Sequence, residues 1–268
     1  MKSLISETFD SLKKKNKKAL IPFLTANFPT RDAFLTLLHE LPSHGAHLIE
    51  IGIPFSDPMA DGKIIQQASK RAIQNGFSMA QCFDDIAEFK KKFPTIPVVI
   101  MTYTNPVLQY GPDAFSSACS ANGADGLLLV DCPPGAQDHV FSATPSIDMV
   151  RLVTPTTSND RLTAIKSMMS GFAYYVSVKG ITGQKTPDLD SISTHVDAVK
   201  QQLKLPMVIG FGISNEHVAN QMASISDGII IGSAFLKPFL FAEPEKITTV
   251  IKEQLAFVAN ISHHINNG

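Results

Sequence analysis

Residues 47–62 read His-Leu-Ile-Glu-Ile-Gly-Ile-Pro-Phe-Ser-Asp-Pro-Met-Ala-Asp-Gly, and this stretch decides the fold. Its first five residues, His47–Ile51, form a short apolar run that predicts a buried strand. A turn-rich loop containing two prolines follows, and helical periodicity begins at Ile64. A strand, a loop and a helix in this order are the start of a β–α–β unit, which indicates a parallel sheet.

The same order of strand and helix recurs along the whole chain. Eight apolar runs predict strands at Leu20–Leu24, His47–Ile51, Val98–Met101, Gly126–Val130, Asp148–Val153, Ala173–Val176, Met207–Ile209 and Gly228–Ile231. Eight repeats in 268 residues favour a closed barrel over an open doubly wound sheet, which the pattern alone also permits. We therefore predict an α/β protein, a single (β/α)8 TIM-barrel domain over residues 1–268. An extra N-terminal helix precedes it, and an additional helix follows strand 2.

The composition argues against several classes of protein. The formal net charge is −1, and 44% of the residues are hydrophobic, which is enough apolar material for a large core. The one basic run, Lys13–Lys18, fits the last turn of a helix and a solvated loop, so we expect no nucleic-acid partner. No apolar stretch approaches the roughly 20 residues of a membrane span. We expect a cytoplasmic protein whose scattered cysteines are reduced thiols: Cys82, Cys119 and Cys132.

Two acidic residues could carry chemistry. Glu50 lies near the end of the second strand, where apolar surroundings would raise the pKa of its carboxyl group. A carboxyl group with a raised pKa suits proton transfer near neutral pH, although a structural Glu at the barrel mouth fits the pattern equally well. Asp61 follows the turn-rich loop and could reach the same pocket, or it could simply cap the next helix.

Glycine-rich segments follow the last three predicted strands. Gly210–Ser214 and Gly232–Ala234 come after strands 7 and 8, where barrels of this class usually bind phosphate, and Gly180–Gly183 could add a third edge. Glycine is also common in plain turns, so one such pair would be weak evidence. No histidine spacing predicts a metal site. Lys179 is better explained as a solvated loop residue than as a Schiff-base lysine.

The segment Glu50–Gly62 closely resembles the signature of the tryptophan synthase α subunit family. Further motifs stand in family order across essentially the whole chain: Tyr103-Thr-Asn-Pro106, Asp131-Cys-Pro133, Ser177-x-x-Gly-Ile-Thr-Gly183, Gly210-Phe-Gly-Ile-Ser214 and Gly232-Ser-Ala234. The resemblance implies a lyase of tryptophan biosynthesis. Its reaction would be the retro-aldol cleavage of indole-3-glycerol phosphate to indole and glyceraldehyde 3-phosphate, without a metal or a cofactor in this chain.

The resemblance also implies roles for single residues. Glu50 matches the catalytic acid and base, and Asp61 matches the catalytic residue that binds the indole N–H. The substrate-binding residues that it implies are Phe23, Tyr103, Leu128, Tyr174, Thr182 and Phe211. The phosphate-binding residues are Gly183, Gly212, Gly232 and Ser233.

A partner is implied as well. Family members bind a β subunit that carries pyridoxal phosphate, normally as an α2β2 complex, through loops around Asp57-Pro58 and from Asp131 onward. Three segments depart from the family pattern: Thr25-Ala-Asn-Phe-Pro29, where the family has Thr-Ala-Gly-Asp-Pro; Lys63, where it has Pro; and Pro134-Gly-Ala136, where it has Pro-Glu-Glu. The last two concern partner binding rather than the reaction.

Two other functions share these motifs. The chain could be a stand-alone indole-3-glycerol phosphate lyase that releases free indole, or a weakly catalytic module that activates a β subunit. The intact pair Glu50 and Asp61, together with the phosphate glycines, counts against the second of these, because a scaffold has no need of them.

Overall fold

The computed structural model describes residues 2–133, 136, 140–143, 145–176, 189–210 and 212–267. Eight parallel strands pair in the order of the sequence, and the first strand pairs with the last, so the sheet closes into a barrel. This confirms the predicted (β/α)8 fold class. Several residues singled out in the sequence lie outside the described ranges: Pro134, Gly135, Phe211 and the segment Ser177–Gly183, which includes Lys179, Thr182 and Gly183.

The strands are short and buried on both faces, as near-continuous apolar runs predict. Only Met101 and Leu152 among the strand residues are partly exposed, and both lie at the carboxyl ends of their strands. The strands are β1 (Ala19–Thr25), β2 (Ile49–Gly52), β3 (Val98–Thr102), β4 (Gly126–Leu129), β5 (Asp148–Val153), β6 (Ala173–Tyr175), β7 (Met207–Ile209) and β8 (Gly228–Ile231).

Helices surround the barrel and include the predicted N-terminal helix and the predicted pair between β2 and β3. They are α1 (Leu4–Lys14), α2 (Arg31–Glu40), α3 (Lys63–Gln74), α4 (Met79–Lys92), α5 (Thr104–Tyr110), α6 (Pro112–Ala121), α7 (Asn159–Lys166), α8 (Leu189–Leu203), α9 (Glu216–Ser224), α10 (Ser233–Phe241) and α11 (Ile247–Asn267), with 3-10 turns at Leu41–His44 and Pro244–Lys246. No helix within the described ranges combines the length and apolar character needed to cross a membrane.

The first βα loop explains one departure from the family pattern. Asn27 has a left-handed backbone with a φ of 65°, a conformation that Asn tolerates better than most residues other than Gly. Its Nδ2 donates to the carbonyl of Ala72 at 3.2 Å, and Nδ2 of Asn75 donates to the carbonyl of Pro29 at 2.8 Å. These bonds tie the loop to the C-terminal end of α3.

Two aspartates clamp the amino ends of the strands. Asp227 Oδ2 accepts the N–H of Met207 at 2.8 Å, and its Oδ1 accepts from Lys200 Nζ at 2.6 Å. Asp125 makes the equivalent contacts at β3. Its Oδ2 accepts the N–H of Val98 at 2.8 Å and a hydrogen bond from Lys90 Nζ at 2.9 Å. Each clamp joins two strands and one helix, and so stiffens the barrel at the end opposite the site described below.

Replacing Asp227 by Ala should lower the free energy of unfolding by about 2 kcal/mol, because the N–H of Met207 and the Lys200 ammonium lose their acceptor. Chemical denaturation followed by circular dichroism measures this loss. The exposed Asp84→Ala variant is the control and should stay within about 0.5 kcal/mol of the wild type. Equal losses in the two variants would contradict the clamp.

Candidate active site

The carboxyl group of Glu50 is buried inside the barrel. It lies on β2 between Phe23 of β1 and Val99 of β3, and the residue is 1% exposed. Neither carboxyl oxygen has a hydrogen-bond partner among the residues that the structure describes. Burial raises the pKa of Glu50 to about 8, and the nearby charge of Asp61 adds to the shift. Glu50 therefore holds its proton at neutral pH and can also give it up there.

Asp61 has a less extreme environment. Burial raises its pKa to about 6, while a hydrogen bond from the Tyr103 hydroxyl acts in the opposite direction. At pH 7 the two carboxyl groups therefore differ in charge, because Glu50 is mostly neutral and Asp61 is mostly ionised. Two titratable groups whose environments push their pKa values apart are the usual arrangement for acid–base chemistry.

A cavity of about 570 Å³ opens at the carboxyl ends of the strands. It brings together seven of the residues that the sequence singled out: Phe23, Asp61, Leu128, Tyr174, Gly212, Gly232 and Ser233. Glu50 is not among its lining residues and lies enclosed by the barrel interior. Tyr103 is not a lining residue either, and its hydroxyl accepts the N–H of Ala60, which does line the cavity, at 3.0 Å.

Most of the cavity wall is apolar, and sequence reasoning missed much of it. Met101, Val130, Leu152 and Ile230 supply aliphatic surface at or just beyond the strand ends, and Ile64 and Ile65 of α3 complete the wall. A flat, apolar ligand such as an aromatic ring fits these surroundings. These four strand-end residues could have been predicted from the sequence, because each lies near the carboxyl end of a predicted strand.

Two glycines near the cavity are needed because aromatic rings approach the backbone closely. A Cβ atom at Gly210 would stand 2.3 Å from the Tyr174 hydroxyl, and one at Gly52 would stand 2.4 Å from the Phe23 ring. The Tyr174 hydroxyl donates to the carbonyl of Gly210 at 3.4 Å. Gly210 therefore shapes the aromatic part of the cavity, in addition to starting the glycine-rich loop.

The opposite rim has the features of an anion site. Helix α10 begins at Ser233, and its N-cap residue, Gly232, has no side chain that could bond the first N–H groups. Gly212 has a φ of 81°, which favours glycine. Lys237, one turn further along α10, is the cationic side chain among the described lining residues. A helix N-terminus with free N–H groups and a nearby ammonium favours a phosphate.

The described part of the chain contains no group of three or more histidine, cysteine or acidic residues that could hold a metal ion. The three cysteines are buried and unpaired.

Fold and site together define a class of protein. It is a (β/α)8-barrel enzyme that holds two carboxyl groups of unequal acidity beside an apolar cavity with an anion-binding rim. A family model described as tryptophan synthase alpha chain matches residues 9–265. The chain belongs to the tryptophan synthase α chain family.

Similar proteins agree with this assignment. The tryptophan synthase alpha chain of Cupriavidus metallidurans is 41% identical over 262 residues, which cover 97% of each chain. That of Hydrogenovibrio crunogenus is 42% identical over 236 residues, or 87% of each chain. The crystal structure of tryptophan synthase subunit alpha from Legionella pneumophila str. Paris superimposes with a TM-score of 0.90 at 33% identity, and each chain is covered completely. The expected lyase function in tryptophan biosynthesis is confirmed by this membership.

Replacing Glu50 by Gln should stabilise the fold at alkaline pH. The folded protein holds the Glu50 proton up to about pH 8, whereas a solvated Glu loses it near 4.5, so wild-type stability falls as pH rises between these values. Gln cannot ionise and escapes this loss, which is on the order of a few kcal/mol. Thermal unfolding at pH 5 and pH 8.5 should show an advantage of the variant that grows with pH.

The exposed Glu253→Gln variant is the control and should show no such trend. A constant difference between Glu50→Gln and the wild type at both pH values would mean that Glu50 does not titrate abnormally.

Proposed function

We propose that this chain cleaves indole-3-glycerol phosphate to indole and glyceraldehyde 3-phosphate, using Glu50 and Asp61 and neither a metal nor a cofactor of its own. The observation that carries the proposal is the placing of two carboxyl groups at one cavity: Glu50 is buried on β2, and Asp61 lines the cavity. Burial raises their pKa values to about 8 and about 6. The proposal treats residues 1–268 as one barrel domain that works in the cytoplasm.

The reaction needs two proton transfers: one to indole C3 and one from the hydroxyl group on the adjacent side-chain carbon. Neutral Glu50 gives its proton to indole C3, which places a positive charge on the ring nitrogen. Ionised Asp61 accepts a hydrogen bond from that N–H and stabilises the charge. The Glu50 carboxylate then takes the proton of the side-chain hydroxyl, the carbon–carbon bond breaks, and its electron pair restores the aromatic ring. Glu50 ends protonated, as it began.

The surroundings of Glu50 suit this exchange. Because neither of its oxygens has a hydrogen-bond partner among the described residues, no contact within that part of the chain has to break before the proton moves. Solvent scarcely reaches the group, so the proton passes to the substrate rather than to bulk water.

The two ends of the cavity match the two ends of the substrate. We place the indole against Phe23, Leu128 and Tyr174, and the phosphate on the backbone of Gly212, Gly232 and Ser233. The family resemblance adds Tyr103, Thr182 and Phe211 to the substrate-binding residues and Gly183 to the phosphate-binding residues. Lys237 faces the same cavity and lowers the cost of bringing a phosphate near two carboxyl groups.

The proposed partner is a tryptophan synthase β subunit, in an α2β2 complex in which pyridoxal phosphate belongs to the partner. The loop between β2 and α3 carries Met59, which is 83% exposed, and Leu108 of α5 is 53% exposed. Met59 directly follows Asp57-Pro58, in the loop through which the family resemblance implies binding of the β subunit. The comparisons favour this α-chain function over a stand-alone lyase or a weakly catalytic activating module.

The purified chain should form indole from indole-3-glycerol phosphate, and Glu50→Gln should lower turnover by at least about a thousandfold, because the variant has no exchangeable proton at this position. Asp61→Asn should also lose most activity, with weaker binding of a substrate analogue.

Indole release is measured with and without a β subunit, and Asp57→Asn serves as the acidic control in the assay without partner. Near-normal turnover by Glu50→Gln would refute the mechanism. A full rate without the partner would favour the stand-alone lyase.

The activity of the wild type should depend on pH as a bell-shaped curve. It rises as Asp61 ionises near pH 6 and falls as Glu50 loses its proton near pH 8. Asp61→Asn should abolish the acid limb in its residual activity while keeping the alkaline limb. An activity that keeps rising well above pH 9 would show that neutral Glu50 is not required.

A further inference from the structure

The hydroxyl group of Tyr103 joins the end of β3 to the loop that carries Asp61. Its oxygen accepts the N–H of Ala60, the residue before Asp61, at 3.0 Å. The Tyr103 ring packs against Phe55, with 5.3 Å between the ring centroids. Tyr103 therefore contacts both ends of the loop between β2 and α3.

The next residue anchors Tyr103 from the other side. The N–H of Thr104 donates to Asp131 Oδ1 at 2.7 Å, and its hydroxyl donates to the same oxygen at 2.8 Å. Asp131 follows β4, so the contact joins the ends of β3 and β4. A continuous set of contacts thus runs from Asp131 through Thr104 and Tyr103 to Ala60 and Asp61.

Other charged or titratable side chains lie near Asp61 on neighbouring elements. Glu50 lies on the neighbouring strand β2, Tyr174 on β6 feels the charge of Asp61, and Lys237 lines the same cavity from α10. The Tyr103 hydroxyl lowers the pKa of Asp61, against the effect of burial. The N–H of Asp61 itself donates to the carbonyl of Pro58 at 3.0 Å, which shapes the turn but leaves the carboxylate free.

We propose that Tyr103 is a positioning residue for Asp61. Its hydroxyl fixes the backbone of Ala60, and so the position of Asp61 at the cavity mouth, and the contact between Thr104 and Asp131 fixes Tyr103. This assigns Tyr103 a task other than direct substrate contact. The inference rests on the proposed function for its consequence in catalysis, but the positioning itself exists without substrate and can be measured without it.

Tyr103→Phe tests the proposal, because it keeps the ring against Phe55 and removes only the hydroxyl. The Ala60 amide should exchange its hydrogen with solvent about tenfold faster, as expected for the loss of one hydrogen bond. The Asp61 carboxyl, followed by carbon-13 NMR, should titrate at higher pH, because a donor to its ionised form is gone. In turnover, the acid limb of the pH profile should move up by the same interval.

Tyr110→Phe is the matched control, since the Tyr110 ring packs on Phe83 and Phe115, away from Asp61. It should leave the Ala60 exchange rate and the Asp61 titration unchanged. Asp131→Ala removes the anchor of Thr104 and should change both readouts in the direction of Tyr103→Phe, by a smaller factor.

If Ala60 exchange and Asp61 titration in Tyr103→Phe match the wild type, the positioning role is overturned, whatever the activity. If the wild type fails to cleave indole-3-glycerol phosphate, the proposed function falls. The same two measurements, made on the free protein, still decide the role of Tyr103.

Discussion

The buried carboxyl group of Glu50, which has no hydrogen-bond partner among the described residues, is the constraint on which the rest of the site depends. A buried carboxylate without hydrogen bonds is costly, so the group stays neutral at pH 7. A neutral carboxyl group is what the proposed proton donation requires. The neighbouring Asp61 stays ionised because it is less buried and accepts a hydrogen bond from Tyr103. The division of labour between the two acids follows from these environments.

The closed barrel holds Glu50 in a fixed position. Register between β1, β2 and β3 fixes Glu50 between Phe23 and Val99. The aspartate clamps at the amino ends of the strands hold the far side of the barrel together. Rigidity matters for the proposed mechanism, because both proton transfers, to indole C3 and from the side-chain hydroxyl, need Glu50 at a fixed distance from the substrate.

Much of the fold could be predicted from the sequence, because parallel strands buried on both faces appear as apolar runs. Helices α5 and α10 could not. α5 has only 7 residues, and α10 contains Pro238, which normally argues against a helix interior. In the site, position along the predicted strands pointed to Glu50, but its lack of partners is a property of packing that no spacing reveals. The places of Lys237 and of the Tyr103 hydroxyl likewise depend on contacts between distant segments.

The most direct test of this account is the pKa of Glu50 in the free protein, measured by carbon-13 NMR of its side-chain carboxyl group. The account predicts a titration near pH 8, above that of Asp61 near pH 6. In Asp61→Asn the Glu50 value should fall slightly, because the neighbouring negative charge is removed. A Glu50 titration near the ordinary value of 4.5 would contradict the account, since the group would then be ionised and unable to donate a proton at neutral pH.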